Sequence, residues 1–196
     1  MEEAAAQAPE IVFDRVNLDF DGKPLFADLS LSLPAGQTTC ILGPSGCGKS
    51  TLLKLIAGVS PLPFSGRIAF HPATSSKHQV AWMGQNDLLL SWLKVLDNVL
   101  LGARLRHEVD EHLRAKAMQL ITEAGLAGAE RALPATLSGG MRQRVALLRT
   151  LMENRRILLM DEPFSALDAL TRLRLQNLAA RLTRGATVVL VTHDPL

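Results

Sequence analysis

The segment between Gly43 and Thr51 constrains this chain most, because it reads Gly-Pro-Ser-Gly-Cys-Gly-Lys-Ser-Thr. It matches the G-x-x-x-x-G-K-[ST] pattern of a phosphate-binding loop, which joins a strand to a helix. Residues 37–42 are β-branched and apolar, which predicts a buried strand. Residues 50–57 have apolar side chains at helical spacing and precede Gly58, which predicts a helix with a glycine C-cap. The motif and its flanks therefore predict a nucleotide site.

The chemistry of such a loop comes mainly from its backbone. Its glycines let N–H groups turn towards phosphate oxygens, and the helix N-terminus adds partial positive charge. We expect Lys49 to reach the β- and γ-phosphates and the Ser50 hydroxyl to bind Mg²⁺. The candidate ATP-binding residues of the loop are Gly43, Pro44, Ser45, Gly46, Cys47, Gly48, Lys49, Ser50 and Thr51.

The composition is that of a globular domain, with 47% hydrophobic and 20% charged residues among 196. A formal net charge of +2 argues against a large basic surface, so we expect no nucleic-acid partner. Cys40 and Cys47 form no metal-binding pattern, and we expect reduced thiols. No apolar stretch is long enough to span a bilayer, and the first residues lack signal-peptide features. We expect any membrane association to depend on another protein.

Hydrophobic periodicity predicts an α/β fold in which strands and helices alternate. It indicates an antiparallel strand pair over residues 11–33, further strands near 67–70 and 80–83, and a helical region over 88–126 that includes a helix capped by Asp110. It also indicates a helix after Ser138, fully buried strands over 157–160 and 186–192, and an amphipathic helix over 167–182. We expect one domain, with about 1–87 and 151–196 as core and β-subdomain and about 88–150 as a helical subdomain.

A second motif, Leu-Ser-Gly-Gly at residues 137–140, places Ser138 as the cap of a helix whose first turn carries Gly139 and Gly140. Exposed N–H groups there suit an anion, and a plain capped helix is the alternative. Downstream follow Asp161-Glu162, then Ser165-Ala166-Leu167-Asp168, then Thr192-His193-Asp194. The ordered set resembles the ATP-binding cassette (ABC) ATPases over nearly the whole chain. The resemblance implies a P-loop NTPase (RecA-like) core with an antiparallel β-subdomain and an inserted α-helical subdomain.

The resemblance also implies roles for single residues. Phe20 occupies the position of an aromatic that stacks on adenine, the alternative being a core residue of its strand. Gln85 resembles the Q-loop glutamine that contacts Mg²⁺ and senses the γ-phosphate, the alternative being an ordinary surface glutamine. Asp168 resembles the D-loop residue that crosses a dimer interface.

Three further residues complete the implied catalytic set. Asp161 follows a buried strand, where an unpaired charge is costly and a metal ion would compensate it. It resembles the Walker B aspartate that supports Mg²⁺. Glu162 resembles the general base for the attacking water, and His193 resembles the switch histidine that bonds the γ-phosphate, although an isolated histidine is more often structural.

The partners follow from the same resemblance. In that family two copies pack head to tail, which implies a homodimer here with each ATP between the phosphate loop of one copy and the Ser138–Gly140 turn of the other. Residues 85–99, which include Trp92, resemble the Q-loop segment of importers for nitrate, sulfonates, taurine and thiamine precursors. This implies a permease, indirectly a solute-binding protein, and a peripheral location on the cytoplasmic face of the membrane.

Two alternatives stay open. The apolar side chains around Trp92 form either a groove for a permease helix or an ordinary subdomain core, and both can hold. The chain is either a transport ATPase or a non-transport cassette ATPase acting on nucleic acid or ribosomes. Family members normally continue with a helix and more strand beyond the switch histidine, so the resemblance implies that the C-terminus is truncated.

Overall fold

The computed structural model describes residues 8–73 and 80–193. In chain order these contain β1 (Glu10–Phe20), β2 (Lys23–Leu33), β3 (Thr38–Leu42), α1 (Lys49–Ala57), β4 (Ser65–His71), β5 (Val80–Met83), α2 (Val95–Val99), α3 (Leu101–Leu105), α4 (Glu111–Glu123), a 3₁₀ turn (Pro134–Thr136), α5 (Gly139–Met152), β6 (Ile157–Asp161), α6 (Ala169–Leu182) and β7 (Thr187–Thr192). They form two compact units. Of the described residues, those up to 82, 155–162 and 184–193 form the first unit, and 83–154 and 163–183 form the second.

An antiparallel sheet in the order β2-β1-β4 lies in the first unit. Its β1–β2 hairpin turns at Asp21 and Gly22, whose φ angles of 52° and 71° are those of a two-residue type I′ turn. Along β1, the side chains of Ile11, Phe13 and Val16 are buried in the core of the unit. The strand pair predicted for residues 11–33 is therefore confirmed.

The first unit also contains the parallel strands, within a sheet in the order β3-β7-β6-β5. β7 pairs in parallel with β3 on one side and with β6 on the other. Every residue of β6 and β7 is buried, as predicted from their continuous apolar runs. α1 packs against both strands and buries Leu53 and Ile56 in the shared core.

The prediction of a buried strand over residues 37–42 is wrong about burial. The strand forms as β3, but its side chains alternate between exposed and half-buried, and Leu42 is exposed. β3 lies at the edge of its sheet and, in the described part of the chain, pairs only with β7. Its β-branched, apolar composition therefore reflects strand pairing without coverage of both faces.

The second unit is helical, but not over the whole of the predicted region 88–126. Residues 88–94 form a loop, and helix begins at Val95. The fully buried side chain of Asn98 holds this loop: it accepts a hydrogen bond from the Leu90 amide (2.9 Å) and donates to the carbonyls of Leu93 (2.9 Å) and Lys94 (3.2 Å). The leucines of this segment are spaced as in a helix, which led to the helical prediction. The segment is a loop because the side-chain amide of Asn98 forms the hydrogen bonds that its backbone N–H and C=O groups need.

α4 begins where the sequence predicts. Asp110 has extended backbone angles, and its carboxylate accepts a hydrogen bond from the Leu113 amide at 2.7 Å. This bond satisfies one of the N–H groups that a helix N-terminus leaves without an intrahelical partner.

We expect Asp110→Ala to lower the free energy of unfolding by about 1 kcal/mol, because the cap is lost. Asp110→Asn retains an acceptor at the same position and serves as the control, with little expected change. Urea denaturation monitored by circular dichroism measures both. Equal stability of Asp110→Ala and wild type would contradict this role for the cap.

Candidate nucleotide site

The phosphate loop connects β3 to α1, as the motif requires. Gly48 is the N-cap of α1, with φ of 96°, and a Cβ there would lie 3.0 Å from ring atoms of Phe26. Only glycine fits both the backbone angle and the space. No side chain among the described residues caps α1, so its first N–H groups are available to an anion.

The ammonium group of Lys49 lies across the loop. Its Nζ donates to the carbonyl oxygens of Gly43 at 2.6 Å and Pro44 at 2.7 Å. The positive charge is thus held by groups of the loop itself, next to the N–H groups of α1. This arrangement is suited to a polyphosphate, because a side-chain cation and backbone N–H donors converge on one place.

Three chain segments leave the parallel strands at the same edge. The strand register places Leu42 opposite Thr192, and Val191 opposite Asp161. The phosphate loop, His193 and Glu162 follow directly after these residues. Because parallel strands present their carboxyl ends at one edge, the pairing brings Glu162 and His193 to the same edge as the loop.

Glu162 is held by the end of β7. Its Oε1 lies 2.6 Å from Nδ1 of His193, and its Oε2 accepts a hydrogen bond from the hydroxyl of Thr192 at 3.1 Å. Its backbone N–H donates to the carbonyl of Val191 at 2.9 Å, with φ of 51°. The carboxylate is nearly buried, whereas 58% of the His193 side chain is exposed. In this arrangement the Glu162 carboxylate can orient a water molecule, and the exposed imidazole of His193 can contact an incoming phosphate.

The negative charge of Glu162 also affects the thiol of Cys40 on β3. Although the Cys40 side chain is exposed on β3, its partial desolvation and then the negative charge of Glu162 raise the pKa of its thiol, which favours the neutral form. Cys40 and Cys47 are both free thiols. Neither forms a disulfide that would restrain the loop.

Asp161 and Ser50 fit a magnesium ion by their chemistry. Asp161 is buried at the end of β6, where an ionised carboxylate needs a compensating positive charge. Ser50 adds a hydroxyl oxygen in the first turn of α1. No group of three or more His, Cys, Asp or Glu side chains in the described ranges could hold a metal. Mg²⁺ needs no such group, because it binds through one or two protein oxygens together with phosphates and water.

Phe20 lies at the end of β1, and 59% of it is exposed. The alternative that it packs in the core is therefore wrong. An exposed aromatic ring offers a face on which a base can stack. Its stacking on adenine stays a prediction.

The second unit carries the Ser138–Gly140 turn and Asp168. Ser138 caps α5, its hydroxyl accepting a hydrogen bond from the Met141 amide at 3.2 Å, as predicted. Asp168 caps α6 and accepts from the Thr171 amide at 3.0 Å. This backbone hydrogen bond lowers the pKa of the Asp168 carboxyl, which stays charged at neutral pH.

The segment after β5 carries Gln85, whose side chain is exposed. Two arginines of α5 hold the residues that follow it. Arg149 donates to the carbonyls of Asp87 (2.7 Å) and Leu88 (2.8 Å), and Arg142 donates to the Asp87 carboxylate (3.1 Å). Burial lowers the pKa of Arg149, while the charges of Asp87 and Glu153 oppose that effect. The Gln85 segment is thereby anchored to the helix that begins at the Ser138–Gly140 turn.

Thr192, Arg142 and Arg149 have structural roles that the sequence did not predict. Thr192 ends an apolar strand and carries no motif beyond its place before His193. Its hydroxyl gains a role only when parallel pairing brings β6 beside β7. Arg142 and Arg149 lie seven residues apart on α5 and thus on one helix face, a spacing that would have suggested a shared anionic or carbonyl partner.

Comparison with known proteins identifies the family. The family model described as "ABC transporter" matches residues 26–165, most of the chain. The chain belongs to the ABC transporter family. It is an ABC ATPase domain, so the predicted family and fold class are confirmed.

Several relatives of this ABC ATPase domain are named as ATP-binding proteins of import systems. It is 47% identical to the aliphatic sulfonates import ATP-binding protein SsuB 1 of Rhodococcus jostii, over 85% of this chain and 66% of the relative. It is 44% identical to SsuB of Pectobacterium atrosepticum, over 94% and 68%. It is 43% identical to the taurine import ATP-binding protein TauB of Yersinia pestis, over 90% and 70%. The chain thus spans about two thirds of the length of these relatives.

We expect Lys49→Ala to weaken binding of MgATP at least about tenfold, because charge-assisted hydrogen bonds to phosphate are lost. Lys54→Ala, in the last turn of the same helix, is the matched control and should bind like wild type. Isothermal titration with MgATP measures both. Unchanged affinity of Lys49→Ala would contradict the site.

Proposed function

We propose that this chain is the ATP-hydrolysing subunit of a membrane importer for a small organic solute or anion. The observation that carries the proposal is Glu162, fixed between Thr192 and His193 at the strand edge that also bears the phosphate loop. The import names of the relatives support the direction of transport and the class of solute. These names specify sulfonates and taurine, whereas the proposal for this chain specifies only a small organic solute or anion.

Several residues serve catalysis in this proposal. Lys49 and the N-terminus of α1 bind the phosphates, and Phe20 stacks on adenine. Ser50 and Asp161 hold Mg²⁺, which when bound supplies positive charge against the phosphate oxygens. Gln85 joins that set by resemblance alone.

Glu162 orients and deprotonates the attacking water, and His193 bonds the γ-phosphate. Phosphoryl transfer of this kind depends mainly on positioning and charge stabilisation. Thr192 and His193 fix the direction of the Glu162 carboxylate before any water arrives, which lowers the cost of reaching the reactive arrangement.

A second copy completes the site in this proposal. The Ser138–Gly140 turn of one copy closes over the ATP held by the phosphate loop of the other, and Asp168 crosses the same interface. The helix N-terminus at Ser138 offers N–H groups and a positive partial charge to the γ-phosphate. ATP therefore favours the closed homodimer, because only that form supplies both sets of contacts.

We expect Glu162→Gln to lower kcat for ATP about 10²–10⁴-fold, because the general base is lost, while ATP affinity is retained. Glu111→Gln, an exposed residue in the first turn of α4, is the control and should leave kcat unchanged. Phosphate release measures kcat, and isothermal titration measures affinity. Turnover near wild type in Glu162→Gln would exclude Glu162 as the base.

The second unit offers a surface for a permease. Trp92 is 72% exposed and Leu88 67% exposed, both on the loop that Asn98 holds from within. Large apolar side chains presented on a fixed loop are typical of anchors in protein interfaces. The alternative that Trp92 belongs to the subdomain core is wrong for this residue, although neighbouring leucines are half-buried.

No helix in the described ranges is long and apolar enough to cross a membrane. We propose that a permease holds the chain peripherally at the cytoplasmic face and links it indirectly to a solute-binding protein.

We expect Trp92→Glu to reduce recovery of an integral-membrane partner from detergent-solubilised native membranes by about 30-fold, the loss typical of an interface hot spot of 2 kcal/mol. Leu173→Glu, at an exposed leucine of α6, is the matched control. Equal recovery with both variants would contradict docking through the Trp92 loop. ATPase stimulation by DNA or RNA, without any membrane partner, would instead favour a non-transport cassette.

A further inference from the structure

The side-chain amide of Gln143 is buried in the second unit, with 8% of the residue exposed. Its Nε2 donates to the hydroxyl oxygen of Ser165 at 3.1 Å, and its Oε1 accepts a hydrogen bond from the Ala166 amide at 2.9 Å. Both ends of the amide are therefore bonded to the segment that leads to Asp168. A buried amide bonded in this way fixes the position of its partners, because breaking either bond costs a buried polar group a hydrogen bond.

Gly140 contacts the same segment from one turn earlier on α5. A Cβ at Gly140 would lie 3.0 Å from the carbonyl oxygen of Ala166, closer than side chains normally approach a backbone. A Cβ at Gly139 would have Nη2 of Arg142 as its nearest neighbour, at 3.9 Å. The close approach of the two backbones therefore disfavours any side chain at position 140, where the Ala166 carbonyl would have to shift, but not at position 139.

These contacts involve both backbone polar groups of Ala166. Its N–H is bonded to Gln143, and its carbonyl lies against Gly140. Asp168 follows two residues later and caps α6, while Ser138 caps α5 two residues before Gly140. The Ser138–Gly140 turn and the Asp168 cap are thus joined through one short segment.

We propose that Gln143 and Gly140 are positioning residues that set the Ser165–Asp168 segment against the Ser138–Gly140 turn. Gln143 acts through its neighbours and touches no ATP in this proposal. As a result, the Ser138–Gly140 turn and Asp168 of one copy face the other copy in one fixed arrangement. The inference rests on the proposed function for the role of the dimer, but the contact itself can be measured without ATP.

Hydrogen exchange of the full chain tests the contact. Gln143→Met keeps the side-chain length and removes both hydrogen bonds, so we expect exchange in residues 163–168 to rise about tenfold. Gly140→Ala should loosen the same residues by a different route, with Gln143 intact. Gly139→Ala is its matched control and should leave exchange in 163–168 unchanged. Gln119→Met, on the exposed face of α4, controls for the loss of a glutamine. Unchanged exchange in both Gln143→Met and Gly140→Ala would overturn the inference.

Steady-state ATPase kinetics test the consequence. We expect Gln143→Met to lower kcat about tenfold and to leave KM for ATP within about twofold, because the ATP-binding loop is untouched. Ser165→Ala removes one of the two bonds and should fall between wild type and Gln143→Met, a graded response that unfolding would not give. If the wild type hydrolyses ATP and Gln143→Met hydrolyses it equally fast, this inference is overturned while the proposed function is retained. A wild type without ATPase activity overturns the proposed function, and the exchange result then decides the contact by itself.

Discussion

The parallel pairing of β7 with both β3 and β6 determines where the groups of the proposed site lie. It places the phosphate loop, His193 and Glu162 at one edge because each follows directly after a paired strand. A slip of one residue between β6 and β7 would turn the Thr192 side chain to the opposite face of the sheet. Glu162 would then lose a hydrogen-bond partner. The complete burial of both strands makes this register costly to change.

α5 has a comparable role in the second unit. Its N-terminus is the Ser138–Gly140 turn, Gln143 holds the segment before Asp168, and Arg142 and Arg149 hold the segment after Gln85. Side chains on successive turns of one helix thus reach two loops that are distant in sequence. A displacement of α5 would move all three motif segments of this unit together.

The sequence predicted most of the fold because most of its signals are local. The phosphate loop, the Asp110 and Ser138 caps and the apolar strands β6 and β7 each depend on a few adjacent residues, and the structure has all of them. Two predictions were wrong because they required knowledge of neighbours. The burial of β3 depends on how many strands pair with it, and the loop over residues 88–94 depends on Asn98. The division into about 1–87, 88–150 and 151–196 stays a prediction.

Short motifs are enough to predict the kind of chemistry, since residues 43–51 and the ordered residues downstream indicate phosphate binding and a candidate base. The positions of the groups that carry out this chemistry follow from strand pairing and helix packing. Thr192 and Gln143 have no sequence signal of their own, because a hydroxyl or an amide becomes a positioning group only when folding brings a partner within hydrogen-bond distance. Local patterns record which groups a chain carries, whereas strand register and helix packing decide which of them meet.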